Sequence, residues 1–336
     1  LSKPNTTLEL GAWVEPHVLL GFKPGDWEQL RASGIRHFFI ECFKHGRLDL
    51  RLVDRNHSQY LPGLLKQHLP DADCHAWVHT LRWSISRQCR TLVELERLAS
   101  PLDCSSTKYL ACDLRTYASL LLTHRKEHHL SWDIEQNGGL FADVTRLHDG
   151  KDLIDSPLRW ALDTITANPD IQTVHLDYCR YPNPNVSPLQ RHVHYQQSAH
   201  EHEVSQRTRN IAQLLEILGR RYGQARLSAT PISAFNAEVG QNCQDFFQNT
   251  HFVIPQCYSE TDRQVTSFLE LCQSSRGQML CGVVHGPSPN HPYGASDQIK
   301  RIHRIAGDAP LGLRGLCFWK LSKELIKELS DASFSQ

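Results

Sequence analysis

The chain alternates short apolar runs with stretches of helical periodicity. Eight apolar runs occur, at residues 8–15 (LELGAWVE), 35–43 (IRHFFIECF), 72–79 (ADCHAWVH), 171–178 (IQTVHLDY), 226–231 (RLSATP), 252–258 (FVIPQCY), 278–284 (QMLCGVV) and 313–319 (LRGLCFW). They are short and mostly apolar on both faces, as parallel strands covered by helices are. Between them lie helical patterns with readable ends. Pro24, Gly25 and Asp26 open a short helix that Gly34 closes, glycine being the residue that turns left-handed at no steric cost. Asp155 and Ser156 supply an N-cap, and Pro157 occupies the first turn of the helix that follows. Residues 204–222 place Ile211, Leu214, Leu215 and Leu218 on one helical face, and Gly223 stops them. Residues 262–275 and 296–306 repeat the pattern more weakly.

Eight strands alternating with helices predict an α/β fold, a (β/α)8 barrel of the TIM type. An open doubly wound sheet is the alternative, but no G-x-G-x-x-G follows any of the runs. No internal repeat is found. About ninety residues separate the third run from the fourth. Within them residues 114–122 read as helix and residues 128–149 as an irregular excursion or hairpin. A structureless loop of that length is improbable in a compact domain. The expectation is an elaborated βα insertion around residues 100–150, between strands 3 and 4 and over the C-terminal face of the barrel. The 336 residues suggest about two domains by length alone, and the strand count reduces this to one barrel spanning 1–336.

Composition narrows the function classes. Lys+Arg and Asp+Glu are both 36, so the chain is formally neutral. With no basic block, it is a poor candidate for nucleic-acid binding through phosphates. No apolar run reaches the length of a membrane span. Eleven cysteines and 20 histidines are the unusual counts. The cysteine number is odd, no C-x-x-C occurs, and Cys42, Cys74, Cys281 and Cys317 sit inside apolar runs. They read as reduced core thiols. The chain begins at Leu1, not Met, so a preceding segment is one expectation.

In a (β/α)8 barrel the functional side chains come from the C-terminal ends of the strands. The first strand ends with Trp13, Glu15 and His17, and the second with Glu41, Lys44, His45 and Arg47. The third offers His79 and Arg82, and the fourth His175, Asp177, Tyr178, Arg180 and Tyr181. The sixth offers Gln256, Tyr258 and Glu260, the seventh His285, and the eighth Trp319 and Lys320. Carboxylates, arginine, histidine and aromatic rings are the lining expected of a carbohydrate cleft, since rings stack on sugars and charged groups bond hydroxyls. The densest segment is HLDYCRYP at 175–182. There a carboxylate leaves an apolar strand, and Arg180 follows three residues later to offset the cost of burying Asp177. A structural ion pair at the barrel rim is the plain alternative. Trp77, between Ala76 and Val78, reads as core; Trp319 reads as a sugar platform. Cys179 lacks a His/Asn arrangement and reads as a packed thiol. The spacing of His192, His194, His200 and His202 is weak as metal-ligand evidence, and no metal ligand is assigned.

HLDYCRYP resembles the H-x-D-Y-x-R-Y-P segment of the glycosyl-hydrolase-like family 10 proteins. HAWVHTLRWS at 75–84 resembles that family's H-A-W-x-N-P-x-R strand, with His79 in place of Asn. FFIECFKHGRL at 38–48 resembles its second-strand segment, with Glu41 for Gln and Phe43 for Arg. LSATPISAFNAEVGQNCQDF at 227–246 and VIPQCY at 253–258 resemble its fifth and sixth strand segments. The resemblance implies a barrel acting on glycosidic bonds of an oligo- or polysaccharide. Such chemistry needs two carboxyl groups and no cofactor. Asp177 is the first, and Glu41, Glu15 and Glu260 contend for the second. Tyr178, Arg180, Tyr181, His79, Arg82, His45, Gln256, Tyr258, His285, Trp13 and Trp319 are expected to contact substrate. A barrel that holds a glycan without cutting it is the alternative function. The resemblance implies export, whereas the odd count of free thiols suits a reducing interior.

Overall fold

The computed structural model describes residues 8–44, 47–80, 82–84, 139–141, 157–180, 200–232, 239–258, 262–285, 293–307 and 312–333. All eight predicted strands are present: β1 (Glu9–Val14), β2 (Ile35–Lys44), β3 (Asp73–His79), β4 (Thr173–Asp177), β5 (Leu227–Ala229), β6 (Phe252–Val253), β7 (Met279–Val283) and β8 (Leu313–Phe318). Each pairs in parallel with the next in sequence, and β8 pairs in parallel with β1. The sheet is therefore closed, as a (β/α)8 barrel requires.

Helices follow the strands in the expected places. They are α1 (Pro16–Leu20), α2 (Pro24–Ala32), α3 (Leu50–Val53), α4 (Leu61–His68), α5 (Pro157–Thr166), α6 (His200–Tyr222), α7 (Cys243–Asn249), α8 (Asp262–Ser274), α9 (Ala295–Ala306) and α10 (Lys323–Ser333). The Lys23 N–H donates to Asp26 Oδ2 at 2.8 Å at the start of α2. Gly34, with φ of 75°, lies just past its end, as the sequence predicts. Among the described residues, no helix is long and apolar enough to cross a membrane.

Side-chain alternation along the strands creates two apolar layers. Ala12, Phe38, Ile40, Ala76, Val78, Val174, Leu176, Leu316 and Phe318 join the large cluster between the sheet and the helices. The residues between them point inward, and Trp13, Phe39, Trp77, Phe252, Ile254, Leu280 and Cys317 fill the barrel as a second cluster. The interior is a packed core, not a pore. Cys42, Cys74, Cys179, Cys243, Cys257, Cys272, Cys281 and Cys317 are all buried as free thiols, so they act as small apolar side chains.

Closure depends on glycine at one contact. Gly315 is the Cα partner of Glu9, and a Cβ on Gly315 would lie 1.8 Å from the Glu9 carbonyl oxygen. Of the predicted insertion, the described part is Gly139–Phe141, which pairs antiparallel with Arg82–Ser84, three residues past β3. The predicted helix at 114–122, and the rest of the 128–149 excursion, lie outside the described residues.

Candidate active site

Asp177 is the last residue of β4 and is 2 % exposed. Its carboxylate is held on both oxygens. The Trp77 indole Nε1–H donates to Oδ2 at 2.9 Å, and the Tyr178 backbone N–H donates to Oδ1 at 2.7 Å. The first bond spans adjacent strands: Trp77 lies on β3 opposite His175, and His79 lies opposite Asp177. Trp77 is core, as its apolar neighbours predict, and its one polar atom is spent on the acid.

An aromatic group surrounds this carboxylate. The Trp77 ring lies 5.4 Å from His79 and 5.6 Å from Trp319. Tyr178 packs 4.9 Å from His79, and the Arg180 guanidinium carbon lies 5.2 Å from the Tyr178 ring centre. Trp319 touches Trp13 below it at 5.5 Å and Tyr258 beside it at 5.8 Å. Trp319 and Tyr258 are half-buried, whereas Trp13 is fully enclosed. Trp13 is thus one layer down, in contact with Phe39 and His175. The Tyr258 hydroxyl is buried with no hydrogen-bond partner among the described residues. Burial, and then the nearby Asp177 charge, push it well above the ordinary phenol value.

Backbone conformation marks the same rim. Among the described residues, three that are not glycine have positive φ: Tyr178 at 50°, Lys320 at 65° and Arg276 at 51°. Two of them directly follow Asp177 and Trp319. A left-handed L-residue costs about 1–2 kcal/mol, and such costs concentrate at functional sites. Gln241 ties the rim together. Its Nε2 donates to the Cys179 carbonyl at 3.2 Å, and its Oε1 accepts from the Ile232 N–H at 3.0 Å.

The other candidates are distributed around this centre. Glu41 Oε2 accepts from Lys44 at 2.7 Å. Glu15 lies 3.6 Å from Lys320 and 3.5 Å from His17. Gln256 forms an isolated bridge to Gly282 on β7. His285 packs 6.3 Å from Phe318, and burial lowers its pKa despite nearby acids. His175 is not at the rim. It is fully buried inside the barrel, bonded through Nδ1 to Ser228 at 3.0 Å, and burial pushes its pKa down to about 3. Burial, and then the Asp177 charge, push the Cys179 thiol up to about 12, which suits a packed thiol and not a nucleophile. His45, Tyr181, Glu260, His192 and His194 lie outside the described residues, as do the side chains of Arg47, Arg82, His200 and His202.

Sequence reasoning missed two features. The donor role of Trp77 carried no local signal, because the acid it serves is 100 residues away. The polar side chains inside the lower barrel, His37, His75, Thr173 and Ser228, sat within runs read only as strand. The even spacing that puts His37 on the face of Phe39, His75 on that of Trp77 and Thr173 on that of Asp177 was the signal available.

No protein-family model matches the chain, and no curated protein matches it. Among solved structures, the chain is similar to the catalytic domain of a β-amylase from Paenibacillus polymyxa, with 10 % identity, 95 % of this chain and 94 % of that chain covered, and a TM-score of 0.55. It is more loosely similar to a glycoside hydrolase family 18 N-acetylglucosaminidase from Paenibacillus barengoltzii, with 11 % identity, coverages of 98 % and 99 %, and a TM-score of 0.45. A 3-keto-D-glucoside 4-epimerase from Escherichia coli matches with 10 % identity, coverages of 98 % and 98 %, and a TM-score of 0.43. At such identity the likeness to the amylase domain establishes the (β/α)8 fold and leaves the chemistry to the site.

Proposed function

We propose that this barrel binds an oligo- or polysaccharide at its C-terminal face and hydrolyses a glycosidic bond with Asp177 as a catalytic carboxylate. The observation that carries the reading is the Asp177 carboxylate itself, buried at a strand end and fixed by Trp77 and the Tyr178 N–H. Two N–H donors use it as an acceptor. That suits a nucleophile or a group that stabilises an oxocarbenium ion, and it leaves proton donation to a second acid. Glu41 on β2 and Glu15 at the end of β1 are the described candidates for that acid. Trp319 and Tyr258 supply ring faces for sugar packing, and Arg180 supplies N–H donors to sugar hydroxyls. The resemblance of HLDYCRYP to the glycosyl-hydrolase-like family 10 segment supports the same assignment.

A second reading is a barrel that holds a glycan without cleaving it. It is favoured by the engagement of Glu41 with Lys44 and of Glu15 with Lys320.

The test offers the purified protein a panel of soluble glycans and follows both binding and new reducing ends. Hydrolysis by the wild type that falls about 10²-fold or more in Asp177→Asn supports the assignment. Hydrolysis at the wild-type rate in that variant removes Asp177 from the mechanism. Binding with no cleavage of any glycan selects the second reading.

A further inference from the structure

At the opposite end of the barrel, a second polar cluster faces the N-terminal mouth. His37 on β2 and Asp73 and His75 on β3 bring three donor atoms within 4.8 Å of one another. We propose that His37 Nδ1, the Asp73 carboxylate and His75 Nε2 form a binding site for a divalent metal ion of the zinc class.

The first argument is distance. His37 Nδ1 lies 3.2 Å from His75 Nε2 and 3.3 Å from Asp73 Oδ2. Ligands about 2.0–2.1 Å from a tetrahedral zinc ion are separated by about 3.3 Å. Two of the three donor separations match that value, and all three donors lie within 4.8 Å of one another.

The second argument is the partners behind the ligands. His37 Nε2 meets Glu9 Oε2 at 2.9 Å. A carboxylate can only accept, so Nε2 carries the proton. With an ion bound, Nδ1 presents its lone pair to the cluster; without one, it faces the Asp73 carboxylate at 3.3 Å and can act as a donor to it. His75 Nδ1 meets Thr173 Oγ1 at 2.8 Å, which directs its Nε2 into the same space. Thr173 is in turn bonded to Ser228 at 2.9 Å, and Ser228 to His175 at 3.0 Å. A carboxylate or hydroxyl behind each ligating imidazole is the arrangement that fixes ring orientation and raises ligand basicity in metal sites.

The third argument is access and charge. His37 and His75 are buried, while the Asp73 and Glu9 side chains are 38 % and 37 % exposed, so the cluster opens to solvent at the mouth. Arg314 binds Glu9 at 2.8 Å and offsets its charge. Asp73 then supplies the negative charge, and the two imidazoles supply the borderline-soft nitrogens that zinc favours. Two histidines and one carboxylate leave a fourth position for water. The ion would tie β2 to β3 at the barrel face where such side chains serve stability.

A metal-free arrangement uses the same atoms. If the hydroxyl chain runs from His175 through Ser228 and Thr173 to His75 Nδ1, then His75 Nε2–H donates to His37 Nδ1, and no lone pair is left for an ion. Chelator-treated, tag-free protein separates the two. It is titrated with Co2+ as a spectroscopic probe and with Zn2+ by calorimetry. The expected result is a tetrahedral Co2+ absorption band, and one equivalent of metal lost in Asp73→Asn relative to wild type. Glu9→Gln should keep the site with affinity about 10–100-fold weaker. Circular dichroism checks the folding of each variant, and His37→Asn replaces Asp73→Asn if the latter does not fold. No metal uptake by the wild type overturns the proposal. So does an unchanged metal count and spectrum in a folded Asp73→Asn or His37→Asn protein.

Discussion

The Trp77 indole donates to Asp177 Oδ2 at 2.9 Å from the neighbouring strand, inside the barrel and beneath the half-buried Trp319. One core side chain therefore packs the aromatic layer and orients the acid. Trp77→Phe keeps most of the ring and removes only the donor. A hydrogen bond to a charged group contributes about 1.5–3 kcal/mol, so the variant should lose about 2 kcal/mol of stability. The glycan hydrolysis proposed for Asp177 should fall with it. Urea unfolding and kcat/KM on the same preparation check both, and turnover unchanged by the substitution would show that the bond does not position the acid.

The acid limb of stability should carry the signature of His175. Its pKa in the fold is pushed down to about 3 from 6.5 by burial. The native ring stays neutral while the unfolded chain takes up a proton below pH 6.5. Stability is therefore lost as pH falls from about 6.5 to about 3, by about 4 kcal/mol at the lower end. Equilibrium unfolding at several pH values should show a shallower decline in His175→Gln than in wild type. Equal slopes would assign the acid loss to other groups.

Barrel closure should fail under a single methyl group. A Cβ on Gly315 would lie 1.8 Å from the Glu9 carbonyl oxygen, which is backbone and has no rotamer to yield. Gly315→Ala should push β8 away from β1 and cost about 3 kcal/mol or more, the upper range for overpacking. Thermal unfolding reads the loss, and a variant as stable as wild type would mean that the two strands can separate at no cost.

A stabilising substitution is available at the end of α8. Arg276 is exposed and has φ of 51°. Its N–H donates to the Gln273 carbonyl at 3.0 Å, and the Gly277 N–H to that of Cys272 at 2.9 Å. The position needs a left-handed residue. Arg276→Gly should stabilise the protein by about 1 kcal/mol, the cost of holding an L-residue in that region. A lowered urea midpoint would contradict this.

The sequence by itself determined the eight strands and the helix ends at Gly34 and Gly223. These follow from local facts: apolar runs of strand length, helical periodicity between them, and glycine where the chain must turn left-handed. Asp177 was legible for the same reason, as a charge interrupting an apolar strand at its end. Register and inward parity are decided only when strands pair. Trp77 reads as core from Ala76 and Val78, and its bond to Asp177 exists because β3 and β4 pair with His79 opposite Asp177. His37 and His75 are 38 residues apart and read as parts of two strands. They converge with Asp73 because the β2–β3 register sets His37 opposite Asp73 and Phe39 opposite His75. The period-two alternation then turns all three into one space. The local pattern specifies which segments are strands, and the closure of the barrel specifies which side chains meet.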